Sequence, residues 1–438
     1  MQPKIRIPHN FAPRNYQIAF FNAISKGYKR GVAVWHRRAG KDKTAINILA
    51  KEAFKRKGLY WYIFPTYKQA RRAIWFGMDK AGYKFMDHFP PQVRKRSNDT
   101  DMLVELVNGS IFQIAGSDSY DALMGSNPLG CIFSEYSLQD PRAWDFIRPI
   151  LTENKGWAFF IYTPRGHNHA WDLYNMAVDN EAWFCETLTI RDTGAVSKLD
   201  VEAERAAGMS DDMIEQEFYC SFEAALPGAY YGKEMAKAEK ENRLTGVPYQ
   251  PGFVVNTYWD LGYRDSTAIW FAQDAGREVH LIDYYEASGE SLSHYRNVMN
   301  ERGYTYGKHY APHDIKKHEL GPGKTLWEQA KSIGIKFQVM PKLSIEDGIE
   351  ATRQIFSICW FDKTKCRRGI DALKSYRKDY DEENRVFRLR PVHDWASDGA
   401  DAFRTLGVCH KFQEAKEEMK DLDYGDPENY AGYYRGGL

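Results

Sequence analysis

The sequence predicts an α/β protein built from two successive units, and three observations carry that expectation. Apolar runs of strand length alternate with helical patterns through the first 200 residues, as in a largely parallel sheet. A turn-rich stretch, LPGAYYG at 226–232 and TGVPYQPG at 245–252, then interrupts the pattern. Beyond it a second series of strands opens with a meander. The 438 residues suffice for two or three domains.

Residues 15–30, NYQIAFFNAISKGYKR, read as a helix, and GVAVW at 31–35 reads as a short buried strand. HRRAGKDK follows as a loop, then TAINILAKEAFKR as a helix and GLYWYIF at 58–64 as a second strand closed by Pro65. LVELV and SIFQIAG flank Asn108-Gly109, a dipeptide suited to a tight hairpin because both positions tolerate positive φ. LGCIFSE at 129–135 and WAFFIYT at 157–163 are further buried strands, and the pattern is helical from about 200 to 225. In the second half VVNTYWDLG at 254–262 begins the meander, and TAIWFAQ and EVHLIDYYE continue it with DAGR as the turn between them. This meander, followed by mixed helices and strands to about 410, is compatible with a ribonuclease-H-like fold. The tail from 411 is charged, then rich in Gly and Tyr, and is expected to be mobile at its end.

A formal net charge of +1 hides an asymmetry. Residues 1–100 carry 22 Lys and Arg against 5 Asp and Glu, a balance of +17; the remaining 338 carry 38 against 54, a balance of −16. A basic first part suits a polyanionic partner, nucleotide or nucleic acid, and the acidic remainder can group carboxylates around metal ions. Six cysteines stand apart with no CxxC pair, which argues against a zinc site and a disulfide scaffold. No apolar run approaches the roughly 18 residues of a membrane helix, so no membrane partner is expected. MQPKIRIPHN has no apolar signal core, and the expected compartment is cytoplasmic.

The chemistry concentrates in two places. GVAVWHRRAGKDKTA is a strand, a loop and a helix: backbone N–H groups of Arg37, Arg38, Ala39, Gly40, Lys41 and Asp42 can cradle phosphate, and Lys41 can reach the β and γ oxygens. Trp35 stands where the phosphate-loop pattern has its first Gly, and Asp42 stands where a Ser or Thr would ligate Mg²⁺. FAPRNYQ at 11–17 resembles the adenine-reading Gln motif of nucleic-acid translocases, with Tyr16 to stack on the base and Gln17 to read its edge. CIFSEY at 131–136 is an apolar strand ending in an acid: Glu135 would polarise the attacking water, and Ser134 stands where an Asp usually holds the Mg²⁺ shell. IYTPRG ends a buried strand in Thr163, at a place where translocases sense the γ-phosphate.

The second place is a set of separated acids. Asp260 lies in a strand beside a glycine, with Asp265 on the turn after it; Asp314 ends HYAPHD; Asp398 and Asp401 lie one helical turn apart in SDGADAFR. Converging carboxylates of this kind are what two-metal phosphodiester hydrolysis needs, and hard Mg²⁺ or Mn²⁺ prefers such oxygens.

The order PRNYQ, HRRAGKD, PTYKQA, FSEY, TPRG, WDLG, HYAPHD, SDGADAFR, spanning residues 11 to about 407, resembles the large subunit of tailed-bacteriophage terminases. The resemblance implies an additional-strand P-loop ATPase domain at 1–184, a lid subdomain and linker at 185–245, and a ribonuclease-H-like nuclease domain at 246–438. It implies an ATP- and Mg²⁺-dependent motor that drives double-stranded DNA into a procapsid and cuts it with a metal-dependent endonuclease, Mn²⁺ being an alternative ion at that second site. By motif match Lys41 is the phosphate-loop lysine, Glu135 the catalytic glutamate and Thr163 the residue linking hydrolysis to DNA. Asp260, Asp314 and Asp401 are the metal triad, with Asp398 a fourth ligand. The implied partners are a portal protein, a terminase small subunit and copies of this chain in a ring on the portal, in the host cytoplasm. Many relatives have Arg before the Gly that corresponds to Gly125, and here it is Met124; Arg148, Arg165, Arg37 and Arg38 are the alternatives for an arginine finger. Two other readings of the same residues are a host-type DNA translocase or repair ATPase fused to a nuclease, and an ATP-binding scaffold without turnover. A second helicase-like ATPase domain, which would favour the former, is not evident.

Overall fold

The apolar runs become the inner strands of two sheets. The computed structural model describes residues 11–223, 228–262, 266–316, 325–381 and 386–421, so the far end of the tail (422–438) and Asp265 lie outside the described residues. The chain divides into two compact units, Met1–Pro227 and Gly228–Leu438.

In chain order the first unit has strands β1 (Arg30–Trp35), β2 (Leu59–Phe64), β3 (Arg94–Asn98), β4 (Leu103–Leu106), β5 (Ile111–Gly116), β6 (Pro128–Ser134), β7 (Trp157–Tyr162) and β8 (Trp183–Leu188). They form one sheet in the order β3-β4-β5-β2-β6-β7-β1-β8. From β5 to β8 every neighbouring pair is parallel, and β3, β4 and β5 pair antiparallel at one edge. Every residue of β7 is buried, which is why its sequence is a continuous apolar run with no alternation. Truncating one of its rings, such as Phe160, to Ala would cost about 3–5 kcal/mol. Because β7 lies between β1 and β6, the unit has the additional-strand P-loop ATPase fold. The expected hairpin joins β4 to β5: Gly109 has φ 81°, and the Asn108 side chain accepts from the Ser110 N–H at 3.0 Å.

One expected element differs. The helix predicted over 15–30 is broken into single turns at Asn15–Gln17 and Ile24–Lys26 around a short helix at Ile18–Asn22. Gly27, with φ 102°, ends the last turn, and Arg30 already belongs to β1. The helical stretch near 200–225 is two helices, Lys198–Ala206 and Asp211–Tyr219, with a small core of Ile190, Val201, Ile214 and Phe218 of their own.

The second unit has β9 (Leu244–Thr245), β10 (Val255–Asp260), β11 (Ser266–Ala275), β12 (Glu278–Ser288), β13 (Tyr306–Ala311), β14 (Phe337–Val339) and β15 (Cys359–Asp362) in the order β14-β13-β10-β11-β12-β15-β9. The antiparallel meander β10-β11-β12 is followed by β13 and β14, each added parallel on the other side of β10. That is the ribonuclease-H-like arrangement, with β10 at its centre. Residues 228–245, within the stretch expected for lid and linker, pack here: β9 pairs with β15, and Tyr230 and Tyr231 lie in this unit's core. The helix Ser397–Asp421 lies against the sheet. Trp270 Nε1 donates to the Gly399 carbonyl at 2.8 Å, and Thr405 Oγ1 donates to the Trp259 carbonyl at 3.2 Å. A Cβ at Gly399 would stand 2.6 Å from the Tyr284 hydroxyl, so only glycine allows this approach.

Candidate nucleotide site and carboxylate cluster

β1, β7 and β6 are neighbours in the first sheet, and the residues just beyond their C-terminal ends meet. The loop 36–40 leaves β1 and turns into the helix Lys41–Lys55 through Gly40, whose φ is 80°. A Cβ at Gly40 would also stand 2.9 Å from Gln17 Nε2. Arg38 in the same loop has φ 71°. Trp35 is fully buried, packed edge-on against Phe20 and Tyr16, so the first departure from the phosphate-loop pattern fills a core position.

Lys41 is buried. Its Nζ lies 3.1 Å from Glu135 Oε1 and donates to Thr163 Oγ1 at 3.1 Å. Thr163 in turn donates to the Trp35 carbonyl at 3.3 Å. Burial works to lower the Lys41 pKa; the charge and hydrogen bond of Glu135, with Asp42 and Glu217, outweigh it and raise the pKa. Glu135 follows β6 with φ 54°, a left-handed conformation that costs a non-glycine residue about 1–2 kcal/mol and is held here by its N–H on the Ile161 carbonyl. Thus the structure brings Lys41, Glu135 and Thr163, expected from three separate motifs, to one point.

Tyr16 and Gln17 sit on the same loop. The Tyr16 hydroxyl and Gln17 Nε2 each donate to the Ala39 carbonyl at 3.0 Å, and Gln17 Oε1 accepts from the Arg14 N–H at 3.0 Å. Arg37 and Arg165 both face Glu217, which is buried on the helix Asp211–Tyr219; the Arg165–Glu217 ion pair is the closer, and Arg37 Nη1 lies 3.6 Å from Glu217 Oε2. Burial would raise the Glu217 pKa, and Arg165 and Arg37 together bring it below the usual value. The Arg37 N–H also donates to the Glu217 carbonyl at 2.8 Å. Arg38, Met124 and Arg148 are exposed. Sequence reasoning missed Glu217, for a glutamate in a polar helix gives no sign of its burial.

In the second unit Asp260 is the last residue of β10, Asp314 lies in the turn His313–Lys316 after the neighbouring β13, and Asp398 and Asp401 occupy the first turns of the helix Ser397–Asp421. Burial, then the charges of Asp401 and Asp398, push the Asp260 carboxyl well above the usual carboxylate range; Arg404 opposes this and Asp314 adds to it. Asp401 Oδ1 accepts from the Tyr376 hydroxyl at 2.8 Å and lies 3.3 Å from Arg404 Nη2. Arg404 was visible in the DAFR motif without a role, and Tyr376 carried no signal. Among the described residues no group of three or more His, Cys, Asp or Glu side chains is drawn together as a metal cage. The donor set still fits Mg²⁺ or Mn²⁺: all four groups are hard oxygen donors, and a cation would relieve the repulsion on Asp260.

Fold and geometry therefore define a two-unit chain, an additional-strand P-loop ATPase fold followed by a ribonuclease-H-like fold. No family model matches the chain. The terminase large subunit of Escherichia phage T5 is 25% identical over 417 residues, covering 90% of this chain and 89% of that protein. That of Thermus phage G20c is 28% identical over 181 residues, covering 38% of this chain and 36% of that protein. Among solved structures, the large terminase of a thermophilic bacteriophage, in complex with ADP, aligns over 90% of this chain and 98% of that one, with 14% identity and a TM-score of 0.40. The chain is thus similar over nearly its whole length to a phage terminase large subunit. Among the described residues no helix is long and apolar enough to cross a membrane.

Proposed function

We propose that the chain is the motor and nuclease of a phage DNA-packaging machine, hydrolysing ATP to move double-stranded DNA into a procapsid and cutting that DNA. The observation that carries this reading is the meeting of Lys41, Glu135 and Thr163 at the ends of three adjacent strands. Lys41 would exchange Glu135 for the β and γ phosphates of ATP, which frees Glu135 to orient the attacking water. Thr163, joined to both Lys41 and the end of β1, would report the exchange to the Pro-Arg-Gly turn that follows it. Tyr16 and Gln17, hydrogen-bonded to the Ala39 carbonyl, would contact the base.

In the second unit Asp260, Asp314 and Asp401, with Asp398, would hold the Mg²⁺ or Mn²⁺ ions. Bound there, the ions supply a polarised water and a stabilised leaving oxygen. Arg404 and Tyr376 fix the Asp401 carboxylate. The basic first 100 residues suit binding through DNA phosphates without sequence preference. The partners in this reading are a portal protein, a terminase small subunit and further copies of the chain in a ring, at the procapsid in the host cytoplasm.

The test is to purify the full chain and measure ATP hydrolysis with and without duplex DNA, and plasmid cleavage with Mg²⁺, Mn²⁺ or EDTA. DNA-stimulated hydrolysis with EDTA-sensitive endonucleolytic cleavage is expected. A chain that binds ATP without turning it over, or that cuts in EDTA, would contradict the reading.

A further inference from the structure

Two departures from the phosphate-loop pattern meet at one point. Asp42, at the helix position where that pattern has a hydroxyl, faces Ser134, at the strand position where it has a carboxylate. Ser134 Oγ donates to Asp42 Oδ1 at 2.6 Å, across 92 residues of sequence. The Tyr62 hydroxyl, from β2 beside β6, donates to the same oxygen at 2.9 Å. Ser134 and Tyr62 are fully buried, while Asp42 is half-buried at the mouth of the loop. Asp42 Oδ2 accepts no hydrogen bond among the described residues. The two chemical groups of the usual site are thus both present, with strand and helix exchanged.

Resting on the nucleotide-site reading above, we propose that Asp42 is the carboxylate of the nucleotide's metal site and Ser134 its hydroxyl partner. Three features fit. Mg²⁺ takes hard oxygen ligands, and without a carboxylate the protein would offer it only neutral oxygens beside the anionic phosphates. An acid in the first turn of a helix is favoured by the helix dipole, so Asp42 can bear its charge there. A bare carboxylate beside a triphosphate would repel it unless a cation stands between them. Tyr62 acts as a positioning residue, fixing the carboxylate from the sheet side.

The experiment measures ATPγS affinity of the full chain by calorimetry, in Mg²⁺ and in EDTA, together with the electron paramagnetic resonance of Mn²⁺ in the nucleotide complex. Asp42→Asn keeps an acceptor for Ser134 and removes the charge. It should cut the Mg²⁺-dependent gain in affinity by about tenfold or more, leave binding in EDTA as tight or tighter, and alter the Mn²⁺ spectrum. The exchanged double variant Asp42→Ser with Ser134→Asp should recover the gain to within about threefold, because it rebuilds the usual arrangement. A purely structural tie between helix and strand would leave Asp42→Asn with the parental gain, which overturns the proposal. So does a double variant that binds ATPγS in EDTA yet regains no Mg²⁺ dependence. If the parent binds no ATPγS at all, the nucleotide-site reading falls and takes this proposal with it. If the parent binds and Lys41→Ala weakens binding while Asp42→Asn changes nothing, this proposal alone falls.

Discussion

The two sites treat charge in opposite ways. In the first unit each ion stands against a counter-group of the protein: Lys41 against Glu135, Arg165 and Arg37 against Glu217, Asp42 under the hydroxyls of Ser134 and Tyr62. In the second unit the like charges of Asp401, Asp398 and Asp314 all act on the buried Asp260, while Arg404 and Tyr376 pair with Asp401. A site already neutral works by exchanging partners, as Lys41 would between Glu135 and phosphate. A site left with surplus like charge is completed by cations. The first should therefore fold and hold its shape without ligand, and the second should be sensitive to metal and to pH.

The largest expected effect breaks the second site. Asp260→Ala should lower plasmid cleavage by on the order of 10³-fold or more, while ATP hydrolysis stays at the parental rate; gel assay of supercoiled plasmid reads this directly. Lys41→Ala should lower ATP hydrolysis by on the order of 10²–10³-fold, as expected when a fixed cation at developing phosphate charge is removed. Parental turnover in a phosphate-release assay would detach Lys41 from the chemistry.

The charge contrast is sharpened by pH. The Asp260 carboxyl is raised when the chain folds, so its protonated form favours the folded state. That contribution is complete below the ordinary aspartate value of about 3.9 and is lost as pH rises through the higher folded value. In EDTA, Asp260→Asn should therefore melt higher than the parent by a margin that grows from about pH 4 upward. Mn²⁺ should shrink the margin by stabilising the parent. A margin that shrinks with pH in EDTA would reverse the sign and remove the crowding argument.

Smaller effects belong to the backbone of the first site. Gly40→Ala should cost about 1–2 kcal/mol from its left-handed φ, more if Gln17 is displaced, and thermal unfolding followed by circular dichroism would measure it. Thr163→Val removes the hydrogen bonds from Lys41 and to the Trp35 carbonyl but leaves Lys41 to bind phosphate, so ATP affinity should stay within about tenfold while the stimulation of hydrolysis by DNA falls. Undiminished stimulation would return Thr163 to a plain strand-end role.

What could be read from the sequence divides along the same physical line. Strands were legible because their side chains are buried on both faces, as in WAFFIY, or flank an unambiguous turn, as around Asn108-Gly109. The segment 15–30 was not, because its apolar spacing suits a helix while Gly27 and the turns at Asn15 and Ile24 answer to packing against β1 and its loop. Lys41, Glu135, Thr163 and the four aspartates were visible one motif at a time. The meeting of Lys41, Glu135 and Thr163 was visible only through strand order, which places β7 between β6 and β1. Asp42 and Ser134 each looked like a defect in its own motif; a contact between residues 92 apart leaves no local trace. Glu217 and Tyr376 were hidden for the same reason, since burial of a polar side chain is decided by what folds over it.

The central claim is that two independent chemistries share one chain, each in its own unit. The most direct test assays ATP hydrolysis and plasmid cleavage side by side on single preparations of the parent, Lys41→Ala and Asp260→Ala. The predicted result is a crossed pattern: Lys41→Ala cuts DNA in Mn²⁺ but does not hydrolyse ATP, and Asp260→Ala hydrolyses ATP but does not cut. Loss of both activities in either variant that remains folded, or of neither in both, would contradict the assignment.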